Sequence, residues 1–237
     1  MALSITAGLA WVILALGSGS VAIPTICTAA LLWSVPSADA FIYVLAVVSP
    51  LKLAIGWAVM VVAMMLPTLY DPLLYLRERS FRRLRPWSQM LFIGGYVSVW
   101  MAAGAAFIGV ALTMRLSSSV SFLPLILAST AALIWQASPW KQHALNKCHR
   151  RPSLAAFAPA VFVDATLLGV RNGLWCVASC WGLMMVAMSV PAFHVATMIF
   201  VAFIVWAERL EPSRQPAWQL CVPLKMMRLI AWFATNP

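Results

Sequence analysis

The chain is 237 residues long, 63% hydrophobic and 9% charged, with a mean hydropathy of +0.92, whereas soluble domains carry about 25% charged residues. That balance excludes a water-soluble globule and predicts an all-α, polytopic transmembrane helix bundle, with room for about six spans of about 20 apolar residues each. The net charge of +10 would suggest nucleic acid in a soluble protein, but here the cations gather between apolar segments, which reads as topology and contact with anionic lipid and excludes a nucleic-acid partner.

Span one is expected within Ala7–Trp33, with a kink near Pro24. No positive region precedes it, since the first Lys or Arg is Lys52, so it reads as a retained span rather than a cleaved signal. Phe41–Ser49 is apolar but short and is expected at the interface. Span two covers Leu53–Tyr75 and is followed by Arg77, Arg79, Arg82, Arg83 and Arg85. Span three covers Gln89–Leu112, where Ala102, Ala105, Ala106 and Gly109 offer small-residue pairs for close helix approach. Span four covers Phe122–Trp135, and a basic loop with Lys141, Lys147, Arg150 and Arg151 follows.

Leu154–Gly169 contains Asp164, and a buried carboxylate costs several kcal/mol in hydrocarbon, so this segment is expected as an interfacial or re-entrant helix. Span five covers Leu174–Val190 and span six Ala192–Ala207, with a tight turn at Pro191 between them. The bundle is therefore expected over residues 1–212. Residues 213–237 form a tail in which Lys225 and Arg228, among Leu, Met, Ile and Trp, suit a basic amphipathic helix on the membrane surface.

The connections after spans two, four and six hold 13 of the 16 Lys and Arg. The positive-inside rule then places both termini in the cytoplasm.

Sulfur is the chemically distinctive feature. Cys176 and Cys180 lie four apart on one helical face, and Met184 and Met188 continue it. Thiolate and thioether are soft ligands suited to copper(I), although Cys and Met also serve as ordinary apolar packing. In span two, Trp57, Met60, Met64 and Pro67 form a second stripe. At about 1.5 Å per residue, Met64 and Met184 both lie about 16–18 Å from the cytoplasmic face, so the two groups meet if the spans are neighbours.

Cys148, His143 and His149 are brought to the same face by the second basic loop. His194 reads as a packing residue, and Glu208 beside Arg209 as a structural pair at a helix end. The five cysteines are an odd number, and Cys27, Cys176 and Cys180 fall in apolar helices, which argues against a disulfide framework. No phosphate-binding glycine loop, nucleophile elbow or paired carboxylate occurs, so an enzyme is not expected.

Several motifs occur in a fixed order. They are Trp57-x2-Met60-x2-Ala63-Met64-Met65-x-Pro67, Gly95-Tyr96-x3-Trp100, Gln136-x2-Pro139-x-Lys141-x3-Leu145-x2-Cys148 and Gly173-x2-Cys176-x3-Cys180-Trp181-x-Leu183-Met184, with Glu208 after them. Over about residues 50–212 the chain resembles the bacterial family of predicted metal-binding integral membrane proteins. The resemblance implies a multi-pass, metal-binding protein of the bacterial inner membrane. Together with the sulfur alignment it points to copper, with Cys176 and Cys180 as primary ligands, Cys148 as cytoplasmic acceptor or donor, and Met64 and Met184 as weaker relay ligands.

The chain also departs from that family's pattern. Ala178 and Ser179 stand where a Gly and a Cys are expected, Ala144 replaces a loop Cys, and Phe193-His194 replaces a Met-Asn pair. These departures predict incomplete coordination and a mainly scaffolding interior. The leading expectation is a copper-handling membrane protein serving a larger membrane enzyme complex. The alternative is a structural or accessory subunit that binds lipid, pigment or partner helices, suggested by 12 Trp, many of them near span ends.

Overall fold

The computed structural model describes residues 2–17, 50–117, 123–155, 157, 159–190, 193–219 and 232. Among these the regular structure is helical, with no strand. In chain order the elements are α1 (Ala2–Gly17), α2 (Pro50–Met65), a 3-10 turn (Leu66–Leu69), α3 (Tyr70–Arg79), α4 (Arg85–Ser117), α5 (Leu123–Ala137), α6 (Pro139–Cys148), α7 (Ala160–Ser189) and α8 (His194–Leu210). Three helical stretches are long and apolar enough to cross a membrane, Leu53–Arg79, Arg85–Ala111 and Ala160–Ser189. The apolar α5, with 15 residues, and α8, with 17, are shorter. Cys27, Phe41–Ser49, Cys221 and most of the expected amphipathic tail lie outside the described residues.

The central element is α7, which packs along α4, α5 and α6. Leu154–Gly169 is not a separate interfacial helix as expected. From Ala160 onward it forms the first turns of α7, whose 30 residues make one rod about 45 Å long. The buried stripe of Val161, Ala165, Leu168, Asn172, Cys176 and Cys180 runs through without a change of phase, so nothing local breaks the helix. Asp164 does not interrupt it either, because its carboxylate is turned to the preceding segment and accepts the Ala155 N–H at 2.8 Å.

Glycine sets how closely α4 and α7 approach. A side chain at Gly169 would meet the carbonyl of Phe92, and one at Gly95 would sit 2.7 Å from the carbonyl of Thr166. Gly173 faces Tyr96 and Val99 of the same seam. The small residues expected to do this, Ala102, Ala105 and Ala106, are on the outside of α4, and Gly109 has open space around it. Their spacing suits close approach, but α7 packs against another face. Gly104, between them, is the position that faces inward, where it makes room for the Trp57 indole.

The expected basic loop after α5 is largely the helix α6. Ser138 caps it by accepting the Lys141 N–H at 3.2 Å, and Pro139 occupies the first turn, a Ser-Pro helix start. The helical turn carries Lys141 inward, where its ammonium pairs with the Glu208 carboxylate. Glu208 therefore does not pair with its neighbour Arg209. Gln136 also donates to Glu208, at 2.8 Å, so the ends of α5, α6 and α8 meet at one carboxylate.

Candidate metal centre

The end of α2 is set by Pro67. Proline cannot donate to the ladder, and the chain tightens into the 3-10 turn Leu66–Leu69. Side chains take up the carbonyls at this helix end. The Thr68 hydroxyl donates to the Met65 carbonyl at 2.6 Å, and the Trp206 indole donates from α8 to the Met64 carbonyl at 2.6 Å. The end of α2 is thereby fixed against α8, with Met60, Met64 and Met65 all buried.

Against this end lies the cysteine face of α7. Cys176 and Cys180 are buried, and their thiols are within hydrogen-bonding reach of each other. The Cys176 sulfur is 4.0 Å from the Met65 sulfur. It also receives the Tyr96 hydroxyl at 3.2 Å from α4, while the Cys180 thiol donates to the Cys176 carbonyl at 3.1 Å. Tyr96 is itself buried beside Trp100, and Trp57 donates its indole N–H to the Trp100 carbonyl at 2.8 Å. Four elements, α2, α4, α7 and α8, thus close around the sulfur atoms.

The structure sets Cys176 and Cys180, buried, at a helix junction. Met64 and Met184 are fully buried in the same core. Among the described residues, however, the methionine sulfur that meets Cys176 belongs to Met65. A straight helical stripe selects Met60 and Met64. The turn at Pro67 follows directly, and the adjacent residue ends against α7. The motif contains Met65, so the signal is present, but periodicity alone ranks it below Met64.

Cys148 closes α6 and is half-buried. It lines an open cleft with Asn172, Arg151 and Arg209, and Asn172 lies one helical turn before Cys176. Burial pushes the Cys148 thiol up to about 11, the Arg209 guanidinium pulls the other way, and Cys176 is near enough to add to the rise.

His149 is not available to complete a surface site. Its ring nitrogens meet the carbonyls of Leu145 at 2.9 Å and Arg209 at 3.1 Å. His143 stacks edgewise on Trp175, with centroids 5.9 Å apart. His194 is buried, with Nδ1 3.0 Å from the Ala187 carbonyl, as expected of a packing residue. Among the described residues no three His, Cys, Asp or Glu side chains form a metal-holding group. A site here must draw on methionine.

The sequence matches the PpoB2 family, described as copper chaperone, over residues 54–231. The chain belongs to this family. No curated protein and no solved structure matches the chain. The metal-related family expected from the motifs is thus met by one whose description is copper handling, a carrying role rather than a catalytic one.

The donor set fits such a cargo. Two sulfurs 4.0 Å apart, each bonded to one metal at about 2.3 Å, subtend about 120°, the angle of a three-coordinate site. Cys180 is within reach as the third sulfur. Thiolate and thioether together favour copper(I) over harder ions.

Proposed function

We propose that this chain is an integral membrane copper chaperone that holds copper between Cys176, Cys180 and Met65. The observation that carries the reading is the buried contact between the Cys176 and Met65 sulfurs, made by two helices 111 positions apart in sequence. Ordinary packing explains one buried sulfur. It does not explain why a thiol, a second thiol and a thioether meet where a phenol also hydrogen-bonds the first thiol. The Tyr96 hydroxyl supplies the outer-shell bond that orients a thiolate ligand. Cys148, on the wall of the cleft below, is the entry or exit ligand, and Met64 and Met184 line the interior beyond.

The three long apolar stretches support a multi-pass protein. With the basic segments on the cytoplasmic side, Cys148 faces the cytoplasm and anionic lipid flanks the Arg77–Arg85 cluster. The recipient of the copper in this reading is a larger membrane enzyme.

Ser179 and Ala178 do not remove the ligand pair that matters here. Ser179 donates its hydroxyl to the Cys176 carbonyl at 2.8 Å and so belongs to the helix, not to the metal. The missing thiols leave a site of three sulfurs, enough for copper(I). The test is copper content of purified protein after anaerobic loading with copper(I). Wild type is expected to retain about one equivalent, and the Cys176→Ala/Cys180→Ala double variant to retain none. Equal retention by the two proteins refutes the assignment.

A further inference from the structure

The side chain of Arg209 is a charged group at this site that packing does not explain. It comes from the last turn of α8, and its Nε and Nη2 are buried without a hydrogen-bond partner. A guanidinium is always charged, and leaving its buried donors unmatched is costly. Its charge acts on Cys148, Cys176 and Cys180 together, and it lies within hydrogen-bonding reach of Cys176.

The neighbouring acids do not neutralise it. Glu208 is committed to Lys141 and Gln136. Glu211 is paired with Arg214 at 2.7 Å. Asp71 shares the cleft with Arg209 but is solvent-exposed, and Arg150 and Arg151 stand at the same cleft with it. The dry side of Arg209 therefore faces sulfur.

We propose that Arg209 is the charge-compensating residue of the site and that it sets the selection of a monovalent over a divalent metal ion. This rests on the copper-holding reading above. When a metal binds, Cys176 and Cys180 each lose a proton to solvent and become thiolates, while Met65 contributes a neutral thioether. Two thiolates, a copper(I) ion and one guanidinium form an electrically neutral buried unit. Zinc(II) or copper(II) in the same place leaves one uncompensated positive charge in a low-dielectric interior, which such interiors strongly disfavour. No electron is transferred; the ion is selected by charge as well as by softness. The thiols alone do not supply this discrimination, since paired thiolates are also good zinc ligands.

Full-length protein in detergent, under anaerobic reducing conditions, is titrated with copper(I) against a chromogenic copper(I) chelator, and separately with zinc(II) against a zinc chelator. The readout is the ratio of the two affinities. In Arg209→Met that ratio is expected to fall by at least about tenfold, because the copper(I) unit becomes anionic while the zinc(II) unit becomes neutral. In Arg209→Lys, which keeps the charge, it is expected to stay within about threefold of wild type. A ratio unchanged in Arg209→Met overturns the proposal. So does a fall of about tenfold or more in Arg209→Lys; if Arg209→Met does not fold, Arg209→Gln, which also removes the charge, takes its place with the same expected fall and the same refuting result. Wild type that binds neither ion overturns the copper-holding reading, and this proposal with it. Binding with an unmoved ratio overturns the charge argument only.

Discussion

The pair between Lys141 and Glu208 offers the sharpest test of how the bundle is fastened. Both side chains are nearly inaccessible, at 2% and 5% exposure. Lys141→Met keeps the length and volume of the aliphatic stem but leaves the Glu208 carboxylate with the Gln136 amide as its remaining side-chain partner. Removing one member of a buried ion pair costs about 3–5 kcal/mol, because the other charge stays buried. For a chain of this size each kcal/mol moves the midpoint by about 2–4 °C, so a fall in Tm of about 6–20 °C is expected.

The assay is thermal unfolding in mild detergent, followed by tryptophan fluorescence. Replacing both partners, as Lys141→Met with Glu208→Leu, removes the stranded charge and is expected to recover most of the loss. The pair ties α6 to α8, so the single variant is also expected to loosen Cys148 and raise its alkylation rate at a fixed pH. A Tm within about 2 °C of wild type for Lys141→Met would refute the claim that a dry ion pair holds these helix ends.

The remaining tests are smaller. Gly169→Ala sets a methyl group against the Phe92 carbonyl, which backbone cannot yield cheaply, and is expected to destabilise by about 1–3 kcal/mol in the same thermal assay, while Gly94→Ala, with open space around it, is expected to be neutral or slightly stabilising. Met65→Leu is expected to weaken copper(I) retention at least about tenfold, with Met64→Leu within about threefold of wild type; the reverse order by chelator competition would restore the sequence-based choice of Met64. Metal-free Cys148 is expected to react with iodoacetamide along a pH profile rising toward about 11, and an ordinary thiol profile near about 8.5 would contradict its burial. Because the folded chain holds that proton more tightly than the unfolded chain, Cys148 adds stability that is fully present below the ordinary thiol range and is lost as pH rises toward 11.

Composition marks the chain as apolar, and its patterning marks it as helical, because no alternation of polar and apolar residues in it suits a sheet. The thiol pair was also legible, since four residues along a helix is a geometric statement. What was not legible had two physical causes. A proline tells where a helix ends but not which side chain the next turn leaves facing inward, so periodicity favours Met64 while the sulfur beside Cys176 is that of Met65. Hydropathy averages also hide a charged residue that is buried because it is paired. Lys141 looked like one more cation of a solvated loop, and Arg209 like the natural mate of Glu208. Lys141 finds its partner 67 positions away, and Arg209 faces cysteines 29 to 61 positions before it. Asp164 misled in the opposite sense, because a carboxylate satisfied by a nearby backbone N–H does not interrupt a helix.

Three tryptophans, Trp57, Trp135 and Trp206, each donate an indole N–H to a main-chain carbonyl on another helix, at Trp100, Ala178 and Met64. A main-chain acceptor is present whatever side chain that position carries. The register of these helices is thus held by a partner that mutation cannot delete. Met64 and Trp100 answer to other demands as well, but residue 178 is free to change while the Trp135 indole on the facing helix goes on finding its oxygen. The burden of keeping alignment falls on one side of each contact only. Divergence at that contact should therefore be lopsided, with the Trp135 indole held fixed and its acceptor position drifting in identity under packing constraints alone.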